Sequence, residues 1–149
     1  MLTKSHWFEL RKWIVDVGCG TGCFALILAE RGFTVTGLDP ALASLAIARS
    51  KLFSDKVQWV HGDATKLPPL AVDLAVMTGN VAQVFLTDES WEETISSIRK
   101  ALHPAGHFVF EVRDPSQKAW LDWTREKTFQ RLNIPKIGNV ERWCDVTGT

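Results

Sequence analysis

The chain has 149 residues, 46% of them apolar, which suffices for one domain with its own buried core and leaves no room for a second. Lys plus Arg and Asp plus Glu each number 17, so no net field recommends nucleic acid or an anionic membrane as a partner. No apolar run approaches the ~18 residues of a membrane span, and Met1-Leu2-Thr3-Lys4-Ser5-His6-Trp7 lacks a signal-peptide core, so the cytoplasm is the expected compartment.

In chain order, an apolar strand containing Val15-Asp16-Val17 runs into Gly18-Cys19-Gly20-Thr21-Gly22. A helix is expected from Cys23 to Arg31, stopped by Gly32, and a strand from Phe33 to Leu38. Asp39 is placed to cap a second helix that runs to about Leu52, with Pro40 at its first position. Val57 to Val60 reads as a strand, His61-Gly62-Asp63-Ala64 as a loop, and Val72 to Met77 as a further apolar strand ending at Thr78-Gly79-Asn80. A helix starting at Thr87-Asp88-Glu89 and ending near Arg99-Lys100 has the charge order that suits its macrodipole. His103-Pro104-Ala105-Gly106 is a turn and His107 to Val112 a strand. Ser116 to Thr128 reads as a helix with Trp120 and Trp123 one turn apart, followed by two strand-like pieces around Leu132 and Trp143.

Strands alternating with helical crossovers predict an α/β fold: a Rossmann-like, doubly wound parallel sheet of order 3-2-1-4-5. The whole chain, 1–149, is expected to be a single domain with its core at 14–115 and a helical, then irregular, tail at 116–149. Ligands bind such sheets beyond the strand carboxyl ends at the switch point, where the acids Asp16, Asp39 and Asp63 are expected.

The glycine run is a nucleotide-binding turn, since a Cβ would block the tight turn and hold a ligand away from the helix N-terminus. Its G-x-G-x-G spacing departs from the dinucleotide fingerprint, which asks for glycine where this chain has Cys23. Asp16 would repel a pyrophosphate and attract an ammonium group. Asp39 suits either two ribose hydroxyls or a helix cap, and Asp63 either an adenine amine or a solvated loop. Cys19, Cys23 and Cys144 lack metal or disulfide spacing and read as free thiols. His6, His61, His103 and His107 form no ligand cluster, so no metal is expected.

The motifs Asp16 to Gly22, Leu38-Asp39-Pro40, His61-Gly62-Asp63-Ala64 and Asp73 to Phe85 together resemble class I S-adenosylmethionine (SAM) dependent methyltransferases of the small bacterial type, over roughly Ile14 to Pro115. The resemblance implies SAM as cofactor. By that likeness Asp16, Gly18, Cys19, Gly20 and Gly22 hold its methionine half, Asp39 and Pro40 its ribose, and Asp63 and Ala64 its adenine. Thr78 and Gly79 would line the site near the methyl group, and Asn80 would face the acceptor unless it is only a turn residue. Glu111, Arg113 and Asp114 are either acceptor contacts or structural charges at a strand end, with Arg113 kept as a candidate acceptor contact. The catalytic residue is unknown, and none is named as a base.

The Asn-Pro-Pro-Tyr type of motif that marks exocyclic-amine methylation is absent after Asn80, which favours a small-molecule acceptor over nucleic acid. Only about a dozen residues precede the first strand, and the tail holds no clear closing strand pair, as in a member shortened at both ends or a fragment. Trp7, Phe8 and Trp13 would then give partial cover to the site. An open fifth-strand edge and the tail tryptophans would favour a homodimer. The competing readings are a non-catalytic SAM-binding module and an NAD-linked oxidoreductase.

Overall fold

The computed structural model describes residues 12–147, which divide into two compact units, one up to Val112 and one from Arg113. Trp7 and Phe8, expected as cover, lie outside the described residues, as does His6.

In the first unit, β1 (Trp13–Val17), β2 (Thr34–Asp39), β3 (Val57–His61), β4 (Val72–Met77) and β5 (Leu102–Phe110) form one sheet of order β3-β2-β1-β4-β5. Every pairing is parallel. β1 sits at the centre, with Ile14, Val15, Asp16 and Val17 all buried, as a strand covered on both faces requires. The register puts Asp16 beside Gly37 of β2 and Val76 of β4.

Three helices connect the strands: α1 (Cys23–Glu30), α2 (Leu42–Arg49) and α3 (Asp88–Ala101). One cluster packs Ile98 and Ala101 of α3 against Val15, Val17, Leu38 and Met77; a second packs Ala25, Leu26 and Ala29 of α1 against Val35 and Val57. Each fully buried aliphatic or Met side chain contributes about 1.5–3 kcal/mol of burial. Thr87 caps α3 by accepting the Ser90 N–H at 3.2 Å, with Asp88 and Glu89 in the first turn and Arg99 and Lys100 in the last.

The second helix begins later than expected. Asp39 Oδ1 accepts the Ala41 N–H at 2.8 Å in a local turn, Ala41 is the residue before the helix, and Pro40 lies outside it. The helix stops at Arg49, and Phe53, at φ 65°, turns the chain into a 3₁₀ turn at Ser54–Lys56.

β5 contains both the expected turn and the expected strand. Leu102 pairs with Val72 and His107 with Leu74, so residues 103–106 are looped out, with Ala105 at φ 69°. The strand ends at Phe110 rather than Val112.

In the second unit the expected helix over Ser116–Thr128 is broken. Two 3₁₀ turns, Pro115–Gln117 and Ala119–Asp122, flank Lys118 at φ 46°, and only α4 (Arg125–Thr128) is α-helical. A residue in the left-handed region cannot continue a helix. β6 (Gln130–Ile134) and β7 (Gly138–Arg142) pair antiparallel as a separate two-stranded sheet; Trp143 lies just beyond it.

Candidate functional site

The switch point lies at the carboxyl ends of β1 and β4, which leave the sheet in opposite directions along its strand order. There the glycine turn closes tightly: the Gly18 and Cys19 N–H groups both donate to the Leu38 carbonyl, at 2.8 and 3.0 Å, and Gly22 N–H donates to the Cys19 carbonyl at 2.9 Å. Gly18, Gly20 and Gly22 all have positive φ, at 72°, 55° and 79°.

The three glycines differ in what surrounds them. A Cβ at Gly18 would fall 2.5 Å from Val81 Cγ2, and one at Gly22 would collide with the Trp59 ring and Ala48. A Cβ at Gly20 would meet nothing within 4 Å. The middle of the turn is thus open to a ligand, while its two ends are packed by the protein.

The acids around the turn have separate surroundings. Asp39, 7% exposed, accepts the Gly20 N–H through Oδ2 at 2.7 Å as well as the Ala41 N–H, so it joins the end of β2 to the turn and is not the residue that caps α2. Each of its oxygens keeps a second lone pair. Asp16, near the carboxyl end of β1, is only 2% exposed, with no partner for Oδ2 among the described residues. Burial raises its pKa to about 7; the Ala25 N–H opposes that rise and the Asp39 charge adds to it. The Cys19 thiol is pushed up to about 12 by burial and by both carboxylates, so it is a neutral packing group. Cys23, exposed at the start of α1, has its pKa lowered, because Lys51 Nζ lies 3.2 Å from Sγ while also donating to the Thr21 carbonyl at 2.7 Å.

Beside the turn is a cavity of about 270 Å³ lined by Gly18, Leu38, Pro40, Asp63, Ala64, Thr65, Val81, Val84, Phe85 and Ser90. It brings together four candidates from three separate motifs: Gly18, Pro40, and the adjacent Asp63 and Ala64. Asp63 accepts the Thr65 N–H through Oδ1 at 2.8 Å, which leaves Oδ2 to the exposed side. Thr78, Gly79 and Asn80 begin the segment that supplies Val81, Val84 and Phe85 to the wall; Gly79 and Asn80 both have positive φ. Those three wall residues lie within the motif stretch or at its end, and nothing in the sequence signals that Val81 packs on Gly18.

Other candidates fall elsewhere. Trp13 is at the amino end of β1, where its indole N–H donates to Thr36 Oγ1 at 3.0 Å and its backbone N–H to Asp73 Oδ2 at 2.8 Å, so it covers nothing at the carboxyl edge. Glu111 binds the backbone of the Gly79-Asn80 turn. Asp114 accepts the Ser116 N–H in a local turn, and hydrogen bonds from the Ser116 side chain and backbone lower its pKa. Arg113 belongs to the second unit, where its guanidinium lies 4.7 Å over the Trp123 ring. No helix among the described residues is long and apolar enough to cross a membrane.

A parallel sheet of this order with a glycine turn after its first strand defines a Rossmann-like, class I nucleotide-binding architecture. Residues 14–106 match the family model described as a methyltransferase domain, and the chain belongs to that family. An uncharacterized methyltransferase of Oceanobacillus iheyensis is 30% identical over 124 residues, covering 80% of this chain and 57% of that protein. The demethylmenaquinone methyltransferase of Thermus thermophilus is 32% identical over 133 residues, 87% of this chain and 59% of that one. Among solved structures, SAM-bound CalS10, an amino pentose methyltransferase from Micromonospora echinaspora involved in calicheamicin biosynthesis, aligns with a TM-score of 0.65 at 28% identity, over 70% of this chain and 44% of that one. The chain spans about half the length of the curated relatives it matches.

Proposed function

We propose that the protein binds SAM over its glycine turn and transfers the methyl group to a small-molecule acceptor. The observation that carries this reading is the turn itself, open at Gly20 and backed by two buried acids, one of them with an unpartnered oxygen. That chemistry fits a nucleoside bearing a cation better than one bearing a pyrophosphate.

SAM supplies an already electrophilic methyl group, so the protein's work is to orient the reactants and exclude water. Asp39 would take the ribose hydroxyls on its remaining lone pairs, and Asp63 the exocyclic amine of adenine. Pro40, Ala64, Val81 and Phe85 would form the apolar walls of the nucleoside cavity. Gly18, Cys19, Gly20 and Gly22 would shape the cradle of the methionine half, with Asp16 able to ionise against its ammonium group. Thr78 and Gly79 would lie toward the methyl group and Asn80 toward the acceptor. None of these roles requires a general base.

The relatives act, by their names, on demethylmenaquinone and on an amino pentose, which supports a small molecule as the acceptor class and leaves its identity open. The balanced charge favours a protein without nucleic acid as partner, and the cytoplasm is kept as its expected compartment. The outer edge of β5, unpaired among the described residues, would accept a second copy of the chain. A methyl-transfer assay with methyl-labelled SAM and a panel of small phenols, amines and amino sugars tests the reading. Label should pass to at least one acceptor class with release of S-adenosylhomocysteine. Tight SAM binding without transfer to any would make the chain a binding module.

A further inference from the structure

The cavity wall contributed by Val81 to Phe85 is held unevenly. At its far end, Phe85 packs on Trp91 of α3, with ring centroids 5.8 Å apart. Its middle is exposed, Val84 to 66%. At its near end the chain leaves β4 through Gly79 and Asn80, at φ 70° and 68°, a conformation that points two successive N–H groups away from any strand ladder. Both converge on one atom: Glu111 Oε1 accepts the Gly79 N–H at 2.6 Å and lies 3.4 Å from Asn80 N. Glu111 is itself fixed, because its N–H donates to the Met77 carbonyl at 3.3 Å and so extends the β4–β5 ladder past the strand end. The next residue is Val81, the one that packs on Gly18.

We propose that Glu111 is a positioning residue for the cofactor cavity: its carboxylate sets the Gly79-Asn80 turn and thereby seats Val81 on the first glycine. This rests on the SAM reading of the site. Glu111 does not line the cavity; it acts through the backbone it holds. A carboxylate is suited to the task because one oxygen can accept two converging N–H groups in charge-assisted bonds.

The test is calorimetric titration of S-adenosylhomocysteine into the parent protein and into Glu111→Ala, Glu111→Asp and Glu111→Gln, with melting temperatures measured alongside. Glu111→Ala should weaken binding about tenfold, the equivalent of one lost charge-assisted hydrogen bond. Glu111→Asp, one methylene too short to reach Gly79, should weaken it severalfold. Glu111→Gln keeps the length and an acceptor oxygen and should stay within about threefold of the parent. If Glu111→Ala does not fold, the order of Gln above Asp decides the matter. Equal affinities across the folded variants, with only melting temperature changed, would overturn the proposal and leave the SAM reading intact. A parent that binds neither SAM nor S-adenosylhomocysteine would overturn both.

Discussion

Gly18, Gly20 and Gly22 share a positive φ, but the structure gives each a different duty, and a single added methyl separates them. Gly20→Ala places a Cβ in open space and costs only the left-handed backbone, about 1–2 kcal/mol. Gly22→Ala adds a collision with Trp59 and Ala48, an overpacking cost of about 1–3 kcal/mol more. Gly20→Ala should therefore stay folded and lose SAM affinity, while Gly22→Ala should show the larger fall in melting temperature. Thermal melts beside a SAM titration check this, and unchanged affinity in a folded Gly20→Ala would mean that the open middle of the turn does not face the ligand. The turn was legible in the sequence because alternating glycines answer a backbone demand that other residues rarely meet. The burial of Asp16 was not, since all of Ile14 to Val17 is buried and a strand covered on both faces carries no alternation to reveal which way a side chain points. Val81 was equally hidden: packing between residues 63 positions apart leaves no local trace.

Among the elements, β5 shows how a strand accommodates a turn. The looped-out residues 103–106 are tied to the sheet by His103, whose Nε2 donates to Asp73 Oδ1 at 2.6 Å and whose Nδ1 donates to the Pro104 carbonyl at 2.5 Å. Both partners are acceptors, so this geometry requires the imidazolium. Asp73, which also accepts the Trp13 N–H, raises the His103 pKa and has its own lowered, with Lys12 adding to the latter. The histidine's contribution to stability is complete below its ordinary pKa of about 6.5 and is lost as pH rises through its raised folded value. The aspartate's is complete above its ordinary value of about 3.9 and is lost as pH falls through its lowered one. The pair should thus contribute most between about pH 4 and 6.5. Both side chains are about a third exposed, at 37% and 36%, so the effect is small. Melting curves of the parent and His103→Asn across pH should differ most in that window and converge above it; a constant offset would mean that charge at His103 plays no part. Existence and order of the strands and of α3 were legible from apolar runs and charge order. The start of α2 was not, because an Asp before Pro can cap a helix or close a local turn, and Asp39 does the latter. The tail failed for a related reason: Trp120 lies in a 3₁₀ turn and Trp123 just past its end, a spacing of three that an α-helix would share, and nothing in the sequence marks Lys118 as the break.

At the scale of the whole molecule, the order β3-β2-β1-β4-β5 places the ends of β1, β2, β3 and β4 along one edge, so motifs far apart in sequence meet at one cavity. The alternation of strands and helices was enough to read this topology, and the glycine and acid motifs carried the resemblance to the family. Whether this edge binds SAM and not a dinucleotide is decided by calorimetric titration of SAM, S-adenosylhomocysteine and NAD into the same protein. SAM and S-adenosylhomocysteine should each bind saturably at one site per chain, with NAD giving no heat above dilution. Saturable NAD binding, or silence with both SAM and S-adenosylhomocysteine, would contradict the account.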